Sequence, residues 1–248
     1  MTRSKPVVFF RSALFMLLAA ASVLVHAILV MLFSVFARPL TYRVVISYGQ
    51  QFMWLLKHVV GLDYVVHGAE NVPEENTVVY LRHESVWETI AELVLFPQQC
   101  WVLKHELMWV PFIGWALLAL KPIAIDRKAR GTALEQVVRQ GKERLAEGLW
   151  VMIFPEGTRV APTESRRYGL SGAVLAREAN KKVLPVAHNA GDFWPRRSFM
   201  KYPGTVEVFI GPLIETYGRA PAAINRDAKA WIDGQLEQLR GQPLRAPG

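Results

Sequence analysis

Two stretches of sequence decide what fold this chain adopts: Val151-Met-Ile-Phe-Pro-Glu-Gly-Thr-Arg159 and, earlier, Tyr80-Leu-Arg-His-Glu-Ser-Val-Trp-Glu88. Each begins with a short apolar run, which is typical of a buried strand, and then passes directly into polar side chains. In open α/β sheets, ligands bind at the carboxyl ends of the strands. We therefore expect the two polar clusters to lie side by side and to form one site.

From Leu62 onward, strand-like and helix-like segments alternate along the chain. The predicted strands are Tyr64–His67, Thr77–Leu81, Cys100–Leu103, Pro122–Ile125, Leu149–Phe154, Val183–Val186 and Thr205–Ile210. Helical spacing of apolar residues is found in Val86–Leu95, Thr132–Glu147, Ser171–Glu178 and Ala222–Leu239. This alternation predicts an α/β fold with a mixed, largely parallel sheet flanked by helices.

The N-terminal segment predicts a membrane helix. Ser12–Ala37 is a run of 26 residues without formal charge, and as a helix it would be about 39 Å long, more than the hydrocarbon core of a bilayer requires. A cleaved signal peptide is the alternative, because Val35-Phe-Ala37 resembles a cleavage site. The apolar run is, however, longer than the usual signal-peptide core.

A second segment, Val44–Val60, mixes apolar side chains with Gln50, Gln51 and Lys57. This pattern predicts an amphipathic helix that lies in the membrane interface or returns through part of one leaflet. The predicted organisation is a membrane anchor of two helices in residues 1–61, an α/β domain in residues 62–240 and a flexible tail in residues 241–248.

The composition favours a membrane-associated protein over a freely soluble one. Apolar residues make up 52% of the 248 residues and charged residues only 20%, with a net charge of +8. Basic residues are concentrated at positions 159, 166, 167, 177, 181, 182, 196, 197 and 201, against acids at 164, 178 and 192. No nucleic-acid-binding motif accompanies them, so anionic lipid or an acidic carrier protein is the expected partner. Cys100 is the single cysteine and is expected to be a buried structural thiol.

His83 and Glu88 are the candidate catalytic pair. They can meet only if His83 precedes a helix and Glu88 lies in its first turn, because residues five apart do not share a helix face. His83 would then accept a proton from a hydroxyl while Glu88 fixes the tautomer of the imidazole and stabilises its positive charge. The alternative is a capping box, Ser85-Val-Trp-Glu88, in which Glu88 only closes the start of the helix.

The second cluster is a candidate anion clamp. An arginine binds phosphate with two parallel hydrogen bonds, and a neighbouring glycine lets the backbone approach the ligand. Arg127, Glu156, Gly157, Thr158 and Arg159 are the residues concerned. The alternative is that Asp126–Arg127 and Glu156–Arg159 form surface ion pairs. No motif of a nucleotide loop, serine-hydrolase elbow or zinc helix is found in the chain, and we expect no metal or cofactor.

Four motifs in this order resemble those of the glycerolipid acyltransferase family. They are His83-x4-Glu88, Lys121-Pro-Ile-Ala-Ile-Asp-Arg127, Phe154-Pro-Glu-Gly-Thr-Arg159 and Val183-Leu-Pro-Val186. Within the family, the chain is most similar to the bacterial members that acylate 1-acylglycerol 3-phosphate. The family usually has Asp at the position of Glu88, so the extra methylene displaces the carboxylate by about 1.5 Å. The resemblance also implies a phosphate-binding role for Lys104 and a substrate-channel role for Pro185.

The resemblance implies transfer of a fatty acyl group from acyl-CoA or acyl carrier protein to the sn-2 hydroxyl of 1-acylglycerol 3-phosphate, which forms phosphatidate. If the acyl donors are cytoplasmic, the simplest arrangement is a two-helix anchor in the bacterial inner membrane that keeps the following domain on the cytoplasmic face. Two alternatives stay open from the sequence. One is an acyltransferase for another lysolipid, such as a lyso-ornithine lipid or a lysophospholipid, and the other is a non-catalytic membrane protein that binds lipid as a scaffold.

Overall fold

A computed structural model describes residues 4–126 and 133–244 of the chain, with the backbone only for residues 38 and 39. The strands are β1 Leu62–His67, β2 Val78–Leu81, β3 Gln99–Lys104, β4 Ile123–Ile125, β5 Trp150–Ile153, β6 Val183–His188 and β7 Gly204–Ile210. The helices are α1 Lys5–Phe36, α2 Arg38–Leu55, α3 Trp87–Leu95, α4 Ile113–Ala119, α5 Ala133–Ala146, α6 Ser171–Glu178, α7 Ala190–Phe193 and α8 Pro221–Arg240.

The seven strands form one sheet in the order β1-β7-β6-β2-β5-β3-β4. Every neighbouring pair is parallel except β6 and β7, which are antiparallel. The prediction of a mixed, largely parallel sheet flanked by helices is therefore confirmed. Strands β2, β3, β4, β5 and β6 all run in one direction, so their carboxyl ends lie along one edge of the sheet.

The two faces of the sheet pack against different helices, as β2 shows. Val79 and Leu81 belong to a core that includes side chains of α1, α2 and α3. Val78 and Tyr80 belong to a second core with side chains of α5, α6 and α8. Since side chains alternate along a strand, the residues just after β2 diverge: Arg82 is directed toward the α8 face and His83 toward the α3 face.

Helices α1 and α2 form an antiparallel pair. The rings of Phe15 and Phe52 lie 5.2 Å apart, and those of His26 and Tyr48 lie 5.4 Å apart. The Arg11 guanidinium donates to the carbonyl of Val60 at 3.2 Å, so the beginning of α1 lies beside the end of the second segment. Among the described helices, only α1 is long and apolar enough to cross a membrane.

The second N-terminal segment differs in detail from its prediction. Helix α2 begins at Arg38, before the predicted Val44, and it passes into a π-helical turn, Leu56–Val60, that ends at Gly61 with a φ of 85°. The helix pair also shares a continuous apolar core with the sheet, including Phe15, Leu56 and Leu81. The division into anchor and catalytic domain is therefore not marked by a break in the packing and stays a prediction.

Three features complete the comparison with the sequence. Helix α4 was not predicted, because Ile113–Ala119 is apolar on every side and shows no helical periodicity. Cys100 is fully buried, and burial raises the pKa of its thiol to about 12, as suits a structural residue. The predicted tail begins at Gly241, in a left-handed conformation, but residues 245–248 lie outside the described part of the chain.

Candidate active site

His83 and Glu88 meet at the carboxyl edge of the sheet. His83 lies in the connection after β2, and Glu88 lies in the first turn of α3. The imidazole Nδ1 and the carboxylate Oε1 are 2.8 Å apart, which is a short hydrogen bond. The geometry expected from the sequence, with histidine before the helix and the carboxylate inside it, is what the fold produces.

Glu88 also closes the start of α3. Its Oε1 accepts hydrogen bonds from the backbone N–H groups of Glu84 and Ser85 at 2.9 and 2.8 Å. The Ser85 hydroxyl in turn accepts from the N–H of Trp87 at 3.2 Å. The capping alternative and the histidine pairing are therefore both present, and the cap holds the carboxylate in the position that His83 requires.

The environment of Glu88 favours its ionised form. Burial by itself raises the pKa of this carboxyl, but the hydrogen bond from His83, the two histidines and the backbone N–H of Ser85 outweigh it and lower the pKa overall. A buried carboxylate that accepts several hydrogen bonds behaves in this way. We conclude that Glu88 is negatively charged and that His83 donates its Nδ1 proton to it.

The other ring nitrogen of His83 is the one available for chemistry. Because Nδ1 donates to Glu88, the lone pair of Nε2 can accept a proton. The ring stacks on Phe154, with centroids 4.0 Å apart and an interplanar angle of 19°. Its side chain keeps 14% exposure, whereas Glu88 keeps none. His83 is thus held rigidly and is still accessible from one side.

Glu156 lies beneath the site among buried charges. Its carboxylate is 3.5 Å from the guanidinium of Arg82, and both side chains are inaccessible to solvent. Burial raises the pKa of Glu156 to about 8, although the charge of Arg82 opposes the rise. A direct contact between Glu156 and substrate stays a prediction; the structure shows the residue linked to the segment that carries His83.

In the rest of the second cluster, Gly157 and Thr158 are exposed, whereas Arg159 is half-buried and its Nε atom is buried. Gly157 closes a turn by donating to the carbonyl of Phe154 at 2.9 Å, and its φ of 68° is a conformation that favours glycine. The Arg159 Nε has no hydrogen-bond partner within the described part of the chain. Val160 donates to the carbonyl of His83 at 2.8 Å, so this turn is fastened beside the histidine. An arginine with an unused donor next to a base is suited to an anionic substrate.

The remaining predicted site residues are placed differently. Lys104 is the exposed last residue of β3, at the same edge of the sheet as His83. Arg127 lies outside the described residues. Pro185 is buried in the middle of β6, and it lies near Gly211 and Trp231 on the α8 face of the sheet. Since His83 is directed toward the other face, the structure does not bring Pro185 and His83 together.

Sequence reasoning missed His188, the last residue of β6. Its Nδ1 accepts from the N–H of Ala190 at 3.2 Å, so the ring proton lies on Nε2, which donates to the carbonyl of Arg82 at 2.7 Å. The same nitrogen is 3.9 Å from Glu88 Oε2. The available signal was its position, because a polar residue at the carboxyl end of a strand next to β2 must lie near the site.

Sequence reasoning also missed a buried ion cluster around Arg82. Arg82 Nε donates to Glu84 at 3.0 Å, and Arg240, at the end of α8, donates to the other oxygen of Glu84 at 2.7 Å. Glu84 therefore joins two arginines directly beside His83. No local sequence signal identifies this contact, because Glu84 and Arg240 are 156 positions apart.

Comparisons with known proteins identify relatives of this chain. The family model described as Acyltransferase matches residues 63–189. The chain is 43% identical to the 1-acyl-sn-glycerol-3-phosphate acyltransferase of Pseudomonas aeruginosa, over 92% of this chain and 91% of that protein. It is 26% identical to the protein of the same name from Borreliella burgdorferi, over 66% of this chain and 64% of that protein.

A solved structure has a similar fold. The 1-acyl-sn-glycerophosphate (LPA) acyltransferase PlsC from Thermotoga maritima superposes with a TM-score of 0.78, over 94% of this chain and 96% of that one. The two sequences are 20% identical, so this likeness concerns the fold alone.

Proposed function

Because this chain belongs to the acyltransferase family, we propose that it transfers a fatty acyl group from a thioester to the sn-2 hydroxyl of 1-acylglycerol 3-phosphate and so forms phosphatidate. The observation that carries the proposal is the His83–Glu88 pair, held at 2.8 Å beside the exposed turn that carries Arg159. The names of the two relatives above support the choice of acceptor.

The reaction needs a base and a fixed acceptor hydroxyl. His83 Nε2 takes the hydroxyl proton while the hydroxyl oxygen attacks the thioester carbonyl carbon. Glu88 stabilises the imidazolium that results. The tetrahedral intermediate then collapses, the carbon–sulfur bond breaks, and His83 returns the proton to the leaving thiolate. These reaction steps use only the two substrates and require no metal or other cofactor.

The phosphate of the acceptor is the group that the basic side chains of the site would bind. Arg159 has an unused donor, and Lys104 is exposed at the same sheet edge. We assign phosphate binding to Arg159 and Lys104, together with Thr158 and Arg127. Binding both substrates in this way places the acceptor hydroxyl beside the thioester. Such positioning supplies a large part of the rate enhancement of an enzyme that forms no covalent intermediate with its substrate.

The location and donor are further parts of the proposal. The apolar α1 and the membrane-lipid substrates of the relatives support work at a membrane, and we propose the bacterial inner membrane with the catalytic domain facing the cytoplasm. We propose acyl-CoA or acyl carrier protein as the donor. Both are anionic, and the basic side chains between Arg159 and Lys201 would attract either of them.

The test is release of free thiol by detergent-purified protein. With acyl-CoA or acyl carrier protein as donor, we expect release only when 1-acylglycerol 3-phosphate is added, and loss of that release in His83→Ala. Thiol release that is equal without any acceptor, or near-normal turnover in His83→Ala, would overturn the mechanism. Lysophosphatidylcholine and a lyso-ornithine lipid serve as acceptor controls, and binding of the acceptor without thiol release from either donor would support a scaffold instead.

A further inference from the structure

The segment after β3 carries an exposed apolar surface. It comprises a 3₁₀ helix, His105–Trp109, and α4, Ile113–Ala119, and no residue from Leu107 to Leu120 is charged. We call its exposed side chains the apolar ridge: Leu107, Trp109, Val110, Phe112, Ile113, Trp115 and Leu118. Surfaces of this kind are uncommon on proteins that face only water.

The ridge is held in place by its own backbone. Gly114 packs so closely on the 3₁₀ helix that a Cβ atom there would lie 2.3 Å from the carbonyl oxygen of Met108. Phe112 adopts a φ of 62°, which is unusual for an aromatic residue. Met108 and Ala116 are the buried inner side of this turn. The segment is therefore an ordered part of the fold, and its backbone directs the side chains of Trp109 and Trp115 outward.

The ridge adjoins the membrane-helix candidate. Helix α4 packs against α1, and α1 exposes its own apolar side chains, among them Leu24, Val25, Ile28 and Leu32. Near the two ends of the uncharged segment, Lys104, Glu106 and Lys121 are exposed, and Lys121 pairs with Glu147 at 2.6 Å. Tryptophan is enriched at membrane–water interfaces, and lysine side chains there extend toward the headgroups.

We propose that the apolar ridge inserts into the lipid bilayer and gives the chain a second membrane contact, separate in sequence from the N-terminal helix pair. Lipid is the occupant that the surroundings specify, since the ridge continues the apolar side of α1, exposes two tryptophans and contains no charged residue. One consequence rests on the proposed function: Lys104 would lie at headgroup depth, where the phosphate of a membrane-bound acceptor is found.

The test uses a fluorescent label at two exposed aromatic positions. Trp109, with 74% exposure, and Tyr217, with 84%, are each replaced by Cys. Cys100 is fully buried, and the unsubstituted chain reports any labelling of it. Tyr217 is the matched control, because neighbouring Thr216 donates to the carbonyl of Lys181, beyond the amino end of β6 and at the opposite edge of the sheet.

The labelled full-length variants are reconstituted into vesicles of phosphatidylcholine and phosphatidylglycerol. We expect brominated phospholipid to quench an environment-sensitive label at residue 109 several-fold more than at residue 217, and aqueous iodide to show the reverse order. Equal access of iodide to both labels would overturn the proposal. Protection of residue 109 from both quenchers would also overturn it, because the ridge would then be covered by protein.

A charge substitution gives an independent readout that does not depend on catalysis. Leu118, a ridge residue with 55% exposure, is replaced by Cys and labelled. Adding Trp109→Glu and Trp115→Glu should reduce insertion of the ridge, seen as several-fold weaker quenching of this label by brominated phospholipid, whereas Tyr217→Glu should leave the quenching unchanged. Far-UV circular dichroism checks that each variant is folded, and unchanged quenching in the folded double variant would contradict the proposal.

Discussion

Among single residues, Glu88 has two roles: its carboxylate pairs with His83 and also closes the start of α3. Its Oε1 accepts from the imidazole of His83 and from two backbone N–H groups at the start of α3. The family that the chain resembles usually has a shorter aspartate at this position. Here the longer side chain still reaches His83, because the helix begins at Trp87 and places Glu88 in its first turn.

Replacing Glu88 by Gln keeps the side-chain size but removes the charge that stabilises the imidazolium. We expect acceptor-dependent thiol release to fall by about 10²–10⁴-fold, whereas Glu88→Asp retains more of it. Glu92→Gln is the matched control. Glu92 is a buried carboxyl one turn further along α3, and burial raises its pKa well above the ordinary value, so a neutral amide resembles its native state. Equal losses in the two Gln variants would contradict the assigned role of Glu88.

We expect Glu156 to make the stability of the protein depend on pH. Because burial raises its pKa from 4.5 to about 8, the folded protein holds this proton more tightly than the unfolded chain does. Its contribution to the free energy of unfolding is therefore fully present below 4.5 and is lost as the pH rises toward about 8.

In Glu156→Gln the same fall in stability should be smaller, since an amide does not titrate. The measurement is Tm in detergent from about pH 5 to about pH 8. Glu143→Gln, at an exposed position of α5, is the control and should keep the slope of the unsubstituted chain. A slope for Glu156→Gln equal to that of the control would show that Glu156 is not the group responsible.

At the scale of elements, α1 is part of the folded core as well as a membrane-helix candidate. Phe15 is fully buried, and its ring packs edge-on against Phe52 of α2 and against Trp194, at centroid distances of 5.2 and 5.8 Å. Lys201 lies over the Trp194 ring at 4.5 Å and bonds through its backbone N–H to Ser12. The beginning of α1 is thus anchored to the catalytic part of the chain.

Phe15→Ala should destabilise the whole protein, because it leaves a cavity where α1, α2 and the sheet meet. A loss of about 3–5 kcal/mol is the usual cost of such a truncation. Phe10→Ala is the matched control on the same helix, since Phe10 is 68% exposed and should change stability little. Denaturant unfolding in detergent micelles measures both variants. An unchanged midpoint for Phe15→Ala would show that α1 and the sheet unfold separately.

Across the whole molecule, the ion cluster around Glu84 connects distant parts of the chain. Arg240 ends α8, and its guanidinium donates to Glu84 in the segment that follows His83 and to Asp192 after β6. Arg82 completes the pairing from the other side. The last helix therefore holds in place the segment that carries His83, on the α8 face of the sheet.

Arg240→Ala leaves Glu84 buried with one arginine instead of two. Removing one partner of a buried ion pair costs about 3–5 kcal/mol, and we expect the lower end of this range because Arg82 remains. Adding Glu84→Gln should restore part of the loss. The control is Arg226→Ala on the exposed side of α8, whose ion pair with Asp227 lies in solvent. Equal unfolding midpoints for the two Ala variants would exclude the stabilising role of Arg240.

The elements with a strong local pattern were the ones that the sequence predicted well. All seven strands were expected within a few residues of their observed limits, because apolar runs bounded by polar residues mark buried strands. Helix α6 was predicted with its observed bounds. Helix α4 was missed, because a helix that is apolar on every side has no periodicity to detect.

The sequence by itself predicted the largely parallel sheet, the apolar α1 and, as one of two interpretations, the pairing of His83 with Glu88, because each prediction rests on a pattern within short stretches of the chain. Only the tertiary structure decided which charges are buried beside them. His188, Glu84 and Arg240 reach the site through strand order and helix packing, and Pro185 is directed away from it for the same reason. Local sequence fixes secondary structure and short motifs, whereas burial and long-range ion pairing depend on which surfaces the folded chain brings together.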